Sequence, residues 1–92
     1  MEQMQKKIGW DKAAEESFLK ILEQIPALIR PIAETRVTKK VENLVRQDNR
    51  WVITEKDMVD AFFAETPSGF IPAMKSGMEE LGIDFTKYGH PK

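Results

Sequence analysis

The sequence predicts an all-α protein: a compact bundle of three to four short helices, with an extended connector before the third helix. Apolar residues recur at intervals of three and four along most of the chain, which is the helical period. Prolines and glycines lie between these periodic runs. A chain of 92 residues is long enough for one modest core. We therefore expect a flexible N-terminus (1–9), a helical domain (10–65) and a C-terminal helix and tail (66–92) packing on it.

The first helix is predicted to begin after Asp11, whose carboxylate suits an N-cap. Pro26 is expected to end it, because proline disfavours α geometry at the residue before it. The apolar stripe of this helix comprises Trp10, Ala14, Phe18, Ile21, Leu22 and Ile25.

The second helix is predicted from Pro31 to about Gln47, since a proline is tolerated in a first helical turn. Residues 47–50 form a polar loop. The apolar run after it is too short for a sheet, so we interpret it as an extended connector that places Trp51 or Val52 in the core. The inward positions of the second helix are Ala33, Val37, Val41, Leu44 and Val45.

Thr54 is predicted to begin the third helix through a capping box with Asp57. The Thr-Pro-Ser-Gly run at 66–69 ends that helix. A fourth, weaker helix over 70–81 follows, and Gly82 is placed to close it. The tail after it carries three large apolar residues and is expected to fold back. The inward residues of the last two helices are Met58, Ala61, Phe62, Met74, Met78 and Leu81.

Composition excludes several classes of function. Fourteen Lys and Arg stand against fifteen Asp and Glu, so the net charge of −1 does not suit a polyanion-binding chain. The absence of cysteine excludes disulfides, thiolate zinc sites and cysteine-ligated iron–sulfur clusters. We find no signal peptide and no apolar run long enough to span a membrane, and a cytoplasmic location is expected.

No residue pattern predicts catalysis. His90 is the only histidine, lies near the end of the chain without a recognisable nucleophile, and is predicted to be solvated. The neighbouring carboxylates Glu15/Glu16 and Glu79/Glu80 point about 100° apart on a helix, so neither pair can flank one bond. The glycines are too scattered for a phosphate loop. We therefore predict no catalytic, cofactor-binding or metal-binding residue.

Basic residues on and beside the second helix form the candidate partner-binding site. One interpretation is a docking face for an acidic protein, a carboxylated ligand or nucleic acid. The other is a solubilising face with i,i+4 ion pairs such as Glu42–Arg46. No aromatic residue lies between the cations, which argues against stacking on single strands. The six candidate residues are Arg30, Arg36, Lys39, Lys40, Arg46 and Arg50.

An ordered set of residues runs through the first two thirds of the chain: Trp10 and Ala14; Leu22, Ile25, Pro26, Ile29 and Arg30; Glu42 and Arg46; Ile53, Thr54 and Ala61. This set resembles the small C-terminal domain found in light-independent (dark-operative) protochlorophyllide reductase. Two spacings, from Trp10 to Pro26 and from Pro26 to Glu42, are each about one helical turn longer than in that family. The extensions suggest that the first two helices lengthened together and pack antiparallel.

The resemblance implies a family of iron–sulfur oxidoreductases of chlorophyll biosynthesis. In that family the cluster ligands and most of the substrate pocket lie upstream of this domain, so the reductase activity does not carry over. What carries over is a non-catalytic accessory module that docks on a redox or tetrapyrrole-related protein partner, such as an iron–sulfur oxidoreductase subunit. The second hypothesis is a histone-like or other DNA-binding helical protein. The net charge of −1 argues against it, because DNA binding needs clustered positive charge.

Overall fold

Four helices and a two-stranded parallel sheet make up the fold, as a computed structural model that describes residues 7–92 shows. The prediction of a largely helical bundle is confirmed, and the small sheet is an addition to it. In chain order the elements are β1 (Gly9–Trp10), α1 (Lys12–Glu23), α2 (Arg30–Gln47), β2 (Val52–Ile53), α3 (Glu55–Glu65) and α4 (Ile71–Glu80). Short 3-10 turns lie at Ser68–Phe70 and Phe85–Tyr88.

The predicted N-cap and apolar stripe of α1 are both confirmed. The carboxylate of Asp11 accepts a hydrogen bond from the amide of Ala14 at 3.2 Å. The helix buries Ala14, Phe18, Ile21 and Leu22. Trp10, just ahead of α1, is half-buried and stacks on Phe18 with 4.7 Å between ring centroids. The indole ring of Trp10 therefore attaches the N-terminal end of α1 to the core.

The segment before α3 was expected to be an extended connector without a sheet. It instead forms strand β2, which pairs in parallel with β1. Gly9 pairs with Val52 and Trp10 with Ile53. The prediction that Trp51 or Val52 enters the core is wrong, because Ile53 is buried there while the other two stay 42% and 51% exposed. Side chains alternate along a strand, so an inward Ile53 turns Val52 outward. Residues 1–6 of the predicted flexible N-terminus lie outside the described part of the chain.

Helix α3 is the centre of the core. It buries Met58, Val59, Ala61 and Phe62, and it packs on α1 and most extensively on α2. The Thr54 capping box is confirmed, with reciprocal bonds between Thr54 and Asp57.

Helix α2 lies mainly on α3 and only in part on α1. The expectation that the first two helices pack along their lengths is therefore not met. The buried residues of α2 are Val37, Val41 and Val45, all in its middle and C-terminal turns. Its first two turns lie largely exposed beyond the core.

Helix α4 and the tail cover the remaining side of α3. Met78 is fully buried, and Gly82 closes α4 in the left-handed conformation at φ 76°. The tail then returns to the core through Ile83 and Phe85, both buried. Within residues 7–92, no helix combines the length and apolar character that crossing a membrane requires.

Candidate partner-binding surface

The structure divides the six basic candidate residues into two groups. Two of them, Arg30 and Arg50, bind other parts of the fold. The other four form what we call the basic stripe, which runs along the solvent side of α2. The basic stripe consists of Arg36, Lys39, Lys40 and Arg46.

Arg30 holds the end of α1. Its guanidinium donates to the carbonyl oxygen of Ile25 at 2.8 Å and to that of Glu23 at 3.3 Å. Carbonyls at a helix C-terminus lack intrahelical partners, so a cation placed there stabilises the helix end. The side chain fastens the α1–α2 turn and is not available as a simple docking cation.

Arg50 holds the junction between α2, β2 and α3. Its guanidinium donates to both carboxylate oxygens of Asp57, at 2.7 and 2.9 Å, and to Asp48 at 3.1 Å. The hydrogen bond with Asp57 raises the pKa of Arg50 further above its ordinary value. Burial alone raises the pKa of Asp57, but hydrogen bonds from Arg50 and Thr54 outweigh it and lower that pKa below its ordinary value. The pair is therefore ionised and structural.

The four cations of the basic stripe have no such partners. Within residues 7–92, none of them makes an ion pair, a hydrogen bond or a ring contact. The predicted Glu42–Arg46 pair is therefore wrong. Elsewhere Lys56 binds Asp60 at 2.7 Å, and two tail lysines approach carboxylates at 3.9 Å. Lys7, Lys12 and Lys20 likewise have no partner in the described chain, so the stripe is distinguished by having four such cations on one helix.

Charge is unevenly distributed between α2 and the rest of the chain. Helix α2 carries five Lys or Arg and two Glu, a net charge of +3. Because the whole chain has −1, the remainder carries −4. Residues 36, 39, 43 and 46 follow one another at intervals of three or four, so they share one helical face. That face lies opposite Val37, Val41 and Val45.

An exposed apolar cluster borders the stripe at the N-terminal end of α2. We call it the apolar end; it consists of Leu28, Ile29 and Ile32, whose exposed fractions are 90%, 42% and 57%. This cluster was not predicted as a surface feature from the sequence. The available signal was that these three residues are left over once the inward positions of both neighbouring helices are assigned.

His90 does not lie in solvent as predicted. Its Nε2 atom lies 2.7 Å from an oxygen of Asp60, and its ring stacks on Phe63 with 4.0 Å between centroids. Tyr88 donates its hydroxyl hydrogen to Glu55 at 2.6 Å. Burial and the Glu55 carboxylate raise the pKa of Tyr88 to about 12. The buried residues of the tail hold it against α3, which brings both side chains into reach of that helix.

The cavities lie away from the basic stripe. One, of about 310 Å³, is lined by tail residues such as Ile83 and Phe85. The other, of about 340 Å³, lies over the Arg50–Asp57 pair between α2 and α3. Among residues 7–92, no three His, Asp or Glu side chains are grouped closely enough to hold a metal ion.

Comparisons with protein families, curated proteins and solved structures find no match for this chain. The resemblance to the reductase domain therefore stays a prediction from the residues quoted above.

Proposed function

We propose that the protein is a non-catalytic helical interaction module that docks on an acidic surface of a protein partner. The observation that carries this proposal is the basic stripe, whose four cations lack a partner within the described chain. Cations on a rigid helix are pre-organised, so docking orders only their side chains.

The length of the basic stripe and its position on one helix suit electrostatic docking. From Arg36 to Arg46 it extends over about 15 Å of helix. Complementary charge on two surfaces raises the rate of association and selects the orientation of the complex. Such binding weakens as salt is added, because exposed charges are screened.

The resemblance supplies the proposed class of partner. If the module relates to the reductase domain, its partner is an iron–sulfur oxidoreductase subunit or another protein that handles tetrapyrroles. The module then contributes docking and not chemistry.

A pull-down from the native host tests the proposal. The stripe variant replaces Arg36, Lys39 and Lys40 by Glu; the matched control replaces Lys7, Lys12 and Lys20 by Glu, which are exposed and give the same net charge. We expect wild type and control to capture the same protein and the stripe variant to lose it. Equal capture by all three would contradict the proposal.

Duplex DNA is the alternative partner. Asn43 lies between Lys39 and Arg46 on the solvent face of α2, and these residue types read base edges in the major groove. The net charge of −1 and a cluster of only four unpaired cations on α2 oppose this reading, because duplex DNA binding depends on neutralising many phosphates. A gel shift at low salt decides: no shift removes the DNA-binding hypothesis, and a shift lost in the stripe variant supports it.

A further inference from the structure

The apolar end and the basic stripe form one continuous surface. Ile32 precedes Arg36 by one helical turn, so both side chains lie on the solvent face of α2. Leu28 and Ile29 extend this surface into the α1–α2 turn. Ile32 is 57% exposed one turn from Arg36, which has no partner in the described chain, and Leu28 and Ile29 continue the exposed apolar area beyond it with exposed fractions of 90% and 42%.

We propose that this combined surface also binds an anionic lipid bilayer, with the apolar end inserted and the basic stripe on the headgroups. Peripheral binding of this kind depends on buried apolar area together with attraction to anionic lipids. A helix lying in the interface needs only one apolar and cationic face, so the lack of a membrane-crossing helix in the described chain is compatible with it.

The shape of the apolar end favours a bilayer as its occupant. Leu28 is 90% exposed at a turn, so its side chain protrudes from the surface. The apolar end is therefore convex. A protein partner would need a pocket shaped to these side chains, whereas acyl chains rearrange around them.

Charge complementarity points to anionic lipids in particular. Helix α2 carries two carboxylates: Glu34 lies on the side of Val41, and Glu42 lies at the edge of the face that carries Arg36, Lys39 and Arg46, where cations outnumber carboxylates. Long Lys and Arg side chains keep their charges at the headgroups while their stems cover apolar surface. Each such cation strengthens binding to an anionic surface roughly fivefold.

This proposal rests on the same basic stripe as the proposed function, and it adds that lipid binding regulates docking of the protein partner. A molecule that lies with α2 on lipid cannot present the stripe to a protein, so the bilayer and the partner compete. The test below contains no protein partner, and the pull-down contains no added lipid. The vesicle test therefore reports only on lipid binding, and the pull-down reports on docking of the protein partner.

Sedimentation with vesicles tests the inference. One set consists of phosphatidylcholine alone and the other contains about 30% phosphatidylserine. We expect the wild-type protein to sediment with the anionic vesicles only, and less so as salt is raised. No binding to anionic vesicles at low salt, or equal binding to both sets, would overturn the proposal.

Two variants separate the contributions of the surface. Reversal of Arg36, Lys39 and Lys40 to Glu should weaken vesicle binding by more than roughly 100-fold, because three attractions are lost and three repulsions are added. The double variant Leu28→Ser with Ile32→Ser should weaken it by roughly tenfold, because apolar area is no longer buried in the bilayer. Both changes lie on the solvent side of the fold, and circular dichroism checks that the fold is kept.

Matched controls are available on α1 and in the segment before β1. Leu19 is 52% exposed and lies outside the combined surface, so Leu19→Ser should leave vesicle binding unchanged. The Lys7, Lys12 and Lys20 reversal equals the stripe variant in net charge and should cause less than about a twofold change. If the controls reduce binding as much as the matched variants, or if either surface variant binds like wild type, the proposal is wrong.

Discussion

The two halves of α2 differ sharply although they belong to one helix. In the C-terminal half, Val41 and Val45 are fully buried, and Arg50 just beyond it is bound to Asp57 on both carboxylate oxygens. In the N-terminal half, Ile32 is 57% exposed and Arg36 has no partner in the described chain. The C-terminal half holds the fold together through its valines, whereas the exposed residues of the first turns and the outward cations of both halves remain for contact with something else.

Helix length explains the difference. α2 has 18 residues and α3, on which it mainly packs, has 11. At 1.5 Å per residue the two helices are about 27 and 16 Å long, so about 10 Å of α2 has no matching length in α3. In the first turns of α2, Arg30 binds the end of α1 and Val37 is buried, but Ile32 and Arg36 form an overhang that is neither buried nor paired within the described chain.

The largest effect is expected at the junction that anchors the C-terminal half. Asp57→Ala leaves the guanidinium of Arg50 without its main partner and removes the N3 half of the capping box. Arg50 is 37% exposed and keeps Asp48, so the loss of the charge-assisted hydrogen bonds and of the cap should cost about 2–3 kcal/mol, a large share of the stability of a small domain. Urea denaturation measures it. Asp48→Ala, at a side chain 64% exposed, is the control and should cost less than about 1 kcal/mol.

The same pair predicts a dependence on pH. Because the pKa of Asp57 is lowered in the fold, its stabilisation is present above its ordinary pKa and is lost as pH falls through the folded value. The difference in unfolding free energy between wild type and Asp57→Ala should therefore shrink below about pH 4. A difference that stays constant into strong acid would contradict the ion pair.

The second prediction compares truncations on the two halves of α2. Val45→Ala removes buried methyl groups from a position with no exposed area and should cost about 2 kcal/mol. Ile32→Ala removes more atoms from an exposed position and should change stability by less than about 0.5 kcal/mol. Thermal and urea unfolding of both variants test the comparison. Equal costs would mean that the N-terminal half is packed against something in the free protein.

A smaller effect is expected from the tail. Tyr88→Phe removes the hydroxyl that donates to Glu55 and should cost about 1 kcal/mol at neutral pH. The pKa of Tyr88 is raised to about 12, so its stabilisation is complete below the ordinary value near 10 and is lost as pH rises through 12. Wild type and Tyr88→Phe should therefore converge in stability over that range. Urea unfolding at both ends of the range measures this.

The parts of the fold that depend on neighbouring residues could be predicted from the sequence. The stripe of α1, the Asp11 cap and the Thr54–Asp57 box involve residues three or four apart, and each is present. Contacts between distant segments could not be predicted. Pairing of Gly9 with Val52 and of His90 with Asp60 depends on how the helices bring remote segments together.

The candidate surface was predictable only in part for the same reason. The cations of α2 are visible as a cluster in the sequence, but local pattern does not distinguish Arg50, which is bound, from Arg46, which has no partner in the described chain. The exposure of Leu28 depends on where α3 ends relative to α2. The helical period alone assigns apolar residues to a core. It does not show which part of a helix extends beyond the elements that it packs on.

The smallest effect on stability is expected from the stripe itself. Reversal of Arg36, Lys39 and Lys40 to Glu removes no ion pair in the described chain, and exposed charges are well screened by solvent. Residues 36 and 40 repel each other before and after the change, and the new repulsion between residue 39 and Glu42 costs only about 0.2–0.5 kcal/mol on an exposed helix face. Unfolding free energies should agree with wild type within about 0.5 kcal/mol. A loss above about 1 kcal/mol in urea unfolding would show that the stripe stabilises the fold. The exposed part of α2 could then not be assigned to binding alone.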